Sequence, residues 1–439
     1  DKVMLNPCGG IEWKGLASKP VFFKNVLQKI GVEMQVFKVG TYKSAVEPYI
    51  GTEMSPENRK QVTEYVTSIW NQLVNDVSKS RNISVDSLNV YADRMLMYHP
   101  VEELVRYGLA DTLIYKNDVR NYLESYMGKD SRLTILGLND MKNVQKKVPK
   151  DISGNIIAVY YAFGAIDNIG ILSNEEGIVS EKVIKDLRGL KNDDHVKAVV
   201  LRVNSPGGSA YGSEQIWYAV SELKKKKPVI VSMGDYAASG GYYISCAADS
   251  IVAEPTTLTG SIGIFGMVPN AEKLTNKVGI TFDVIKTNTY SDFGSVERPL
   301  NPGERALLQM KINQGYDLFL TRCAEGRHMS KKDVDKIAQG RVWTGAHAKE
   351  LGLVDELGGI DTALEIAAHK AGVDGYTVIT YPEKKDFLLS LLESKPDNYV
   401  ASRLLRGKLG NYYQEFNLLR TIDRNDFIQA RLPMELNVE

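Results

Sequence analysis

An α/β fold assembled from two copies of one unit, with parallel-strand cores and crossover helices, is what this 439-residue chain predicts. Three observations carry that expectation. Self-comparison aligns two separate stretches of the chain. Short segments rich in Val, Ile and Tyr alternate with helix-like stretches in its middle part. The composition, 43% hydrophobic and 25% charged, suits a globular protein with sizeable cores.

The repeat is read block by block. "DKVMLNPCGGIEWKGL" from Asp1 lines up with "DSIVAEPTTLTGSIGIFG" from Asp249, setting Pro7 against Pro255. "KIGVEMQVFKVGTYKS" then matches "KVGITFDVIKTNTYSD", "SPENR" matches "NPGER", and "YGLADTL" matches "LGLVDEL". After the proline motifs, Val62, Val66, Ile69, Leu73 and Val77 recur at helical spacing, as do Leu308, Ile312, Phe319 and Cys323. The period is far longer than that of a solenoid.

The copies are unequal. The second begins near Asn155 with "NIIAVYYAF", "VKAVVLRV" and "KPVIVSM", three strand-like segments separated by helix-like ones. That alternation predicts parallel strands joined by crossovers. The first copy lacks this part, because Asp1 stands at the Asp249 equivalent; roughly 90 residues of the first repeat, and any anchor before them, are expected upstream. The expected organisation is 1–150 as an incomplete first repeat, 151–380 as the second, and 381–439 as a helical extension. In that extension "KKDFLLSLLESKPDNYVASRLLRGKLGNYYQEFNLLR" reads as two amphipathic helices, packed on the body or a sister subunit, or lying on a membrane surface.

Charge and cysteines narrow the function. The formal net charge is zero, so nothing favours nucleic acid or a polybasic membrane patch. "KKKK" at Lys224–Lys227 closes a helix, where it suits the negative end of the dipole. Cys8, Cys246 and Cys323 are too few and too scattered for a disulfide framework or a metal cluster. No run approaches the roughly 18 apolar residues of a membrane span. No cofactor or metal motif stands out.

Two glycine-rich turns gather the chemistry. "RVNSPGGSA" follows the segment Val196–Val203, where parallel sheets collect ligands, and Gly207 and Gly208 leave backbone N–H groups unshielded that suit an oxyanion. A plain strand-to-helix turn explains Pro-Gly-Gly almost as well on local grounds. The next strand, Val229–Met233, runs into "GDYAASGGYYIS" and puts Ser239 at a helix start. There it is either a nucleophile exposed to a helix N-terminus or an ordinary N-cap. Two such turns at one sheet edge favour a site.

A nucleophilic serine needs a base, and histidine fits poorly. His195 precedes the strand that ends at the glycine turn, on the order of 20 Å away by strand length. His99, His328, His347 and His369 carry no motif. A desolvated lysine is the alternative, because burial favours the free amine. The candidate is Lys43 in "VGTYKSAVEP"; its repeat partner is Ser291 in "KTNTYSDFG", so the two copies differ where one job has been divided.

"RVNSPGGSA", "AASGGYYIS", "TLTGSIGIFG" and "VGTYKSAVEP", in the chain together, resemble the signal peptide peptidase A (protease IV) family in its long double-repeat form. The resemblance implies a Clp-protease/crotonase-like fold and a membrane-anchored serine protease that degrades cleaved signal peptides on the periplasmic side of a bacterial membrane. It implies Ser239 as nucleophile, Lys43 as general base, Ser261 in "TGSIG" as the residue holding the amine, and Gly207, Gly208 and Gly240 as oxyanion donors. It also implies extended apolar substrates, a homo-oligomer and no cofactor. Glu47, a turn from Lys43, must not pair with it. Two other readings stand beside this one: a crotonase-type enzyme acting on acyl-CoA thioesters, and a non-catalytic membrane-associated scaffold.

Overall fold

The computed structural model describes residues 2–127, 133–141, 153–167, 177–382 and 428–432. The chain divides into two compact units. One comprises Asp1–Ser18, Val66–Lys150 and Val438–Glu439; the other comprises Lys19–Tyr65 and Asp151–Asn437. The structural division thus follows a different line from the boundary drawn at residue 150, and it puts Lys43, Ser239 and Ser261 in one unit.

That unit is built on an eight-stranded sheet. Its order is Val342–Thr344, Leu258–Gly260, Val229–Ala238, Val196–Ser205, Ile156–Phe163 and Thr377–Tyr381. Ser250–Ala253 also pairs with the start of Val229–Ala238 and carries Glu356–Leu357. Every pairing is parallel except that of Val342–Thr344 with Leu258–Gly260. The three expected strands therefore lie side by side. Their residues alternate between two cores, as a period of two dictates. Ala158, Tyr160, Val199 and Leu201 pack with Val183, Leu187, Ile216 and Val220 from the helices Ser180–Asn192 and Ala210–Lys224. Ile157, Val159, Ala198 and Val200 face Ala363 and Ala367 of the helix Ile360–Ala371. Both faces are covered, so the strands read as continuous apolar runs.

A second, six-stranded sheet was not anticipated. It runs Glu33–Val39, Ile264–Asn270, Ile428–Arg431, Gly207–Ser209, Ala165–Asp167 and Gly177–Val179. Its first three pairings are antiparallel and its last two parallel. The sheets join at Pro206, between Val196–Ser205 and Gly207–Ser209. Ser209 then caps the helix Ala210–Lys224 by accepting the Gly212 N–H at 3.0 Å. The helix pair expected over residues 384–420 lies outside the described residues. What is described of the 381–439 extension beyond Pro382 is the strand Ile428–Arg431 and Leu432.

The other unit has its own small core of Val74, Leu88, Leu96, Leu104 and Leu109. Trp13 donates its indole N–H to the Leu88 carbonyl at 2.8 Å, its ring 5.0 Å from that of Trp70. Aligned blocks form like elements. Met4 and Leu5 pair in parallel with Thr112 and Leu113, as Val252 and Ala253 pair with Glu356 and Leu357. Pro56–Arg81 and Pro302–Arg327 are both 26-residue helices opening on proline. One block diverges: Glu33–Val39 is a strand, whereas the aligned residues 281–287 have no regular structure and are exposed. Among the described residues no helix is long and apolar enough to cross a membrane.

Candidate active site

The strand Val229–Ala238 ends one residue before Ser239, and the six-residue helix Gly240–Ser245 starts one residue after it. The turn is too sharp for ordinary backbone: Ser239 has φ 54° and ψ −113°, a conformation side chains seldom adopt. Such strain persists only where surroundings enforce it. Here Ser239 N–H donates to the Gly260 carbonyl at 2.8 Å, and its own carbonyl accepts from Tyr243 N–H at 2.8 Å. Ser239 occupies the N-cap position, but its side chain caps nothing. That removes the ordinary reading of this serine.

The hydroxyl instead meets an amine. Lys43 Nζ lies 2.7 Å from Ser239 Oγ, 3.1 Å from Ser261 Oγ and 3.0 Å from the Ser261 carbonyl oxygen. Lys43, Ser239 and Ser261 are all fully buried. A neutral amine has two N–H bonds and one lone pair. The Ser261 carbonyl accepts only, so it takes one N–H; Ser261 Oγ takes the other; the lone pair is left facing the Ser239 hydroxyl proton. Burial holds the Lys43 pKa well below the ordinary lysine value, with no charged group offsetting it. Glu47, buried and a turn away, is occupied elsewhere. Its carboxylate accepts from Ser55 Oγ at 2.6 Å, Ser55 N–H at 3.2 Å and Asn58 Nδ2 at 2.9 Å.

Lys43 is held by backbone packed against backbone. Tyr42 N–H donates to the Gln339 carbonyl at 2.9 Å, and a Cβ on Gly340 would lie 2.6 Å from the Lys43 nitrogen. Gln61 Nε2 donates to the Tyr42 carbonyl and the Ser44 hydroxyl, both at 3.0 Å. Arg341, paired with Glu64, lies over the Tyr42 ring at 4.9 Å. Gln61, Gln339, Gly340 and Arg341 were not singled out from sequence. They surround the lysine through folding at long range and carry no local motif.

The glycine turns flank Ser239. Gly207 has φ 95°; a Cβ there would come within 2.6 Å of Gly240 N, so the two turns touch. Gly207 spends its own N–H on Ser205 Oγ at 3.1 Å. Gly241 is equally constrained, since a Cβ would approach the Ser205 carbonyl at 2.7 Å. The sequence-derived set of Ser239, Lys43, Ser261, Gly207, Gly208 and Gly240 thus converges within one unit. None of the five histidines is bonded to any of them.

Such a constellation at the end of a parallel sheet defines a class of nucleophilic-serine α/β proteins, and family profiles agree. That of the ClpP-like SDH-type serine proteinases matches residues 135–276. That of peptidase family S49 matches residues 1–129 and 221–374, and the chain belongs to peptidase family S49. It is 38% identical over 422 residues to Protease 4 of Haemophilus influenzae, covering 92% of this chain and 68% of the relative. It is 37% identical over 402 residues to Protease 4 of Salmonella typhi, with 90% and 64% covered. To the chloroplastic serine protease SPPA of Arabidopsis thaliana it is 34% identical over 365 residues, with 82% and 54% covered. The chain therefore spans between about half and two thirds of the length of these relatives.

Proposed function

We propose that this chain is a serine endopeptidase with a Ser–Lys dyad, acting on extended apolar peptides, signal peptides among them, at the extracytoplasmic side of a bacterial membrane. The observation that carries the reading is the 2.7 Å approach of a fully buried Lys43 amine to Ser239 Oγ, with no carboxylate on the amine. Neutral Lys43 takes the Ser239 proton as Oγ attacks the peptide carbonyl. The oxyanion is held by the Gly208 and Gly240 N–H groups, with Gly207 shaping the turn. Lys43 then protonates the departing amine and activates the water that releases the acyl group. Ser261 is a positioning residue that aims the lone pair. Signal peptides and the membrane side follow from the family resemblance, as does assembly into a homo-oligomer.

Labelling tests the dyad. A serine-directed phosphonate, followed by peptide mapping, is expected to modify Ser239 in the wild type and leave Lys43→Ala nearly unmodified at matched folding. Labelling that survives Lys43→Ala unchanged assigns the base elsewhere. Crotonase-type chemistry requires no such adduct.

Ser261→Ala removes one of two N–H acceptors on the Lys43 amine. The kcat is expected to fall roughly 10- to 100-fold with KM little changed, as for a misaimed catalytic group. Because Ser261 Oγ also accepts from the ammonium form, its loss should move the acid limb of the pH–kcat profile to lower pH. An unmoved limb would leave Ser261 with a packing role only.

A further inference from the structure

The helix that follows the nucleophile packs on the long helix Pro302–Arg327, and the contact brings two cysteines together. Cys246 caps the C-terminal end of Gly240–Ser245, one turn beyond Tyr243. Phe319, Cys323 and Gly326 form one stripe of the long helix, at i, i+4 and i+7. The residues on either side of Cys323 in that stripe touch the shorter helix. The rings of Tyr243 and Phe319 stack with centroids 4.3 Å apart. At Gly326 a Cβ would lie 1.9 Å from the Cys246 carbonyl oxygen and 3.3 Å from Ala247 Cα, so the two backbones meet only because this residue has no side chain. Cys323 stands between these contacts, and its thiol is hydrogen-bonded to that of Cys246. The Cys246 thiol donates in turn to the Tyr243 carbonyl at 3.2 Å. Both cysteines are free, fully buried and part of one apolar core. Packing alone does not call for a second sulfur here. Counting from the prolines that open the two 26-residue helices, the first-copy equivalent of Cys323 is Val77, which fills an apolar stripe as well.

We propose that Cys246 and Cys323 form a disulfide as the chain folds, tying the helix that starts beside Ser239 to the long helix behind it. The oxidising setting rests on the extracytoplasmic reading above; the placement of the two sulfurs does not. One thiolate attacks a sulfur of a small-molecule disulfide such as oxidised glutathione, releasing one thiolate and leaving a mixed disulfide. The second cysteine thiolate attacks the protein sulfur of that mixed disulfide and releases the other. The protein loses two electrons and two protons, and the oxidant is reduced to two thiols. In the finished fold burial pushes the Cys323 thiol well above its ordinary pKa and no solvent reaches either sulfur, so exchange belongs to the folding chain. The same burial shields the bond from reductant once it is made. The loop it closes carries Ser261 and the strands Leu258–Gly260 and Ile264–Asn270, so it restricts the unfolded chain around the site.

The test refolds the full chain from denaturant in a buffer of reduced and oxidised glutathione, and in dithiothreitol as the reduced reference. Each product is alkylated with iodoacetamide in denaturant and mapped. After glutathione, Cys246 and Cys323 are expected in one linked peptide, with the exposed Cys8 alkylated or carrying glutathione. That form should melt several degrees above the reference. Cys323→Val, which takes the first copy's residue, should fold, leave Cys246 unlinked in either buffer and melt at one temperature in both. Alkylation of both Cys246 and Cys323 after glutathione refolding overturns the proposal, as does a bridge through Cys8. A linked pair with no gain in melting temperature overturns the tether. β-Casein hydrolysis and phosphonate labelling of Ser239 are followed on both forms. Their absence beside a linked pair sinks the protease reading and leaves the bridge; their presence beside unlinked cysteines does the reverse.

Discussion

Lys43→Met is expected to lower kcat/KM at neutral pH by about 10³- to 10⁴-fold, the loss typical of removing a general base beside a nucleophile. It should also change how stability depends on pH, and the sign can be worked out. Unfolded, the lysine titrates at its ordinary value near 10.5; folded, burial holds it well below that. Between the two values the unfolded chain binds a proton that the folded chain does not. Stability of the wild type therefore rises with pH across that window and levels off above 10.5. Methionine does not titrate. Whatever constant difference the lost hydrogen bonds introduce, the stability of Lys43→Met relative to wild type should decline as pH rises toward 10.5. Denaturant melts at several pH values check this. A relative stability flat with pH would mean that Lys43 is charged in the folded protein and cannot serve as base. Lys43→Arg should be as inactive as the methionine variant, since a guanidinium stays protonated.

The legible part of this molecule was the part written in short-range pattern. Apolar runs of eight or so residues marked Ile156–Phe163, Val196–Ser205 and Val229–Ala238, and burial on both faces is why those runs are continuous. Glycines at Gly207, Gly208, Gly240 and Gly241 were visible because backbone must approach backbone there, a demand that excludes side chains. Lys43 was harder. A single lysine looks like any surface lysine, and only the contrast with Ser291 in the aligned block and the resemblance of its motif drew it out. The second sheet was illegible for a different reason. Its strands pair across large separations, Glu33–Val39 with Ile264–Asn270 and Gly207–Ser209 with Ile428–Arg431. Short antiparallel partners of that kind carry no periodicity beyond their own few residues. The aligned residues 281–287 make the point, since a similar apolar pattern there forms no strand. Gln339 and Gly340 were missed on the same grounds: their value is the shape they present to Lys43.

Gly207→Ala is expected to reduce kcat by about 10²- to 10³-fold, comparable to losing one oxyanion donor. Three costs arise at this position, the closest clash being with the Ala430 carbonyl oxygen, 2.0 Å from such a Cβ. The backbone has φ 95°, in the region where a Cβ is strained, at about 1–3 kcal/mol. The new methyl would also sit 2.6 Å from Gly240 N, on the donor that follows the nucleophile. Relief requires the turn at 207 or the helix start at Gly240 to move, and either motion takes an N–H off the position of the developing oxyanion. Because the donors act in the transition state, the loss should fall on kcat more than on KM. A matched control is Gly189→Ala in the helix Ser180–Asn192, where a Cβ meets nothing within 4 Å. That change should leave activity unaltered and raise the melting temperature, as alanine replaces glycine in a helix interior with a gain of up to about 1 kcal/mol. If Gly207→Ala folds with a normal melting profile and retains full kcat, the Gly207–Gly240 junction is not where the oxyanion is held. The acyl-transfer geometry would then have to be drawn around a different face of Ser239.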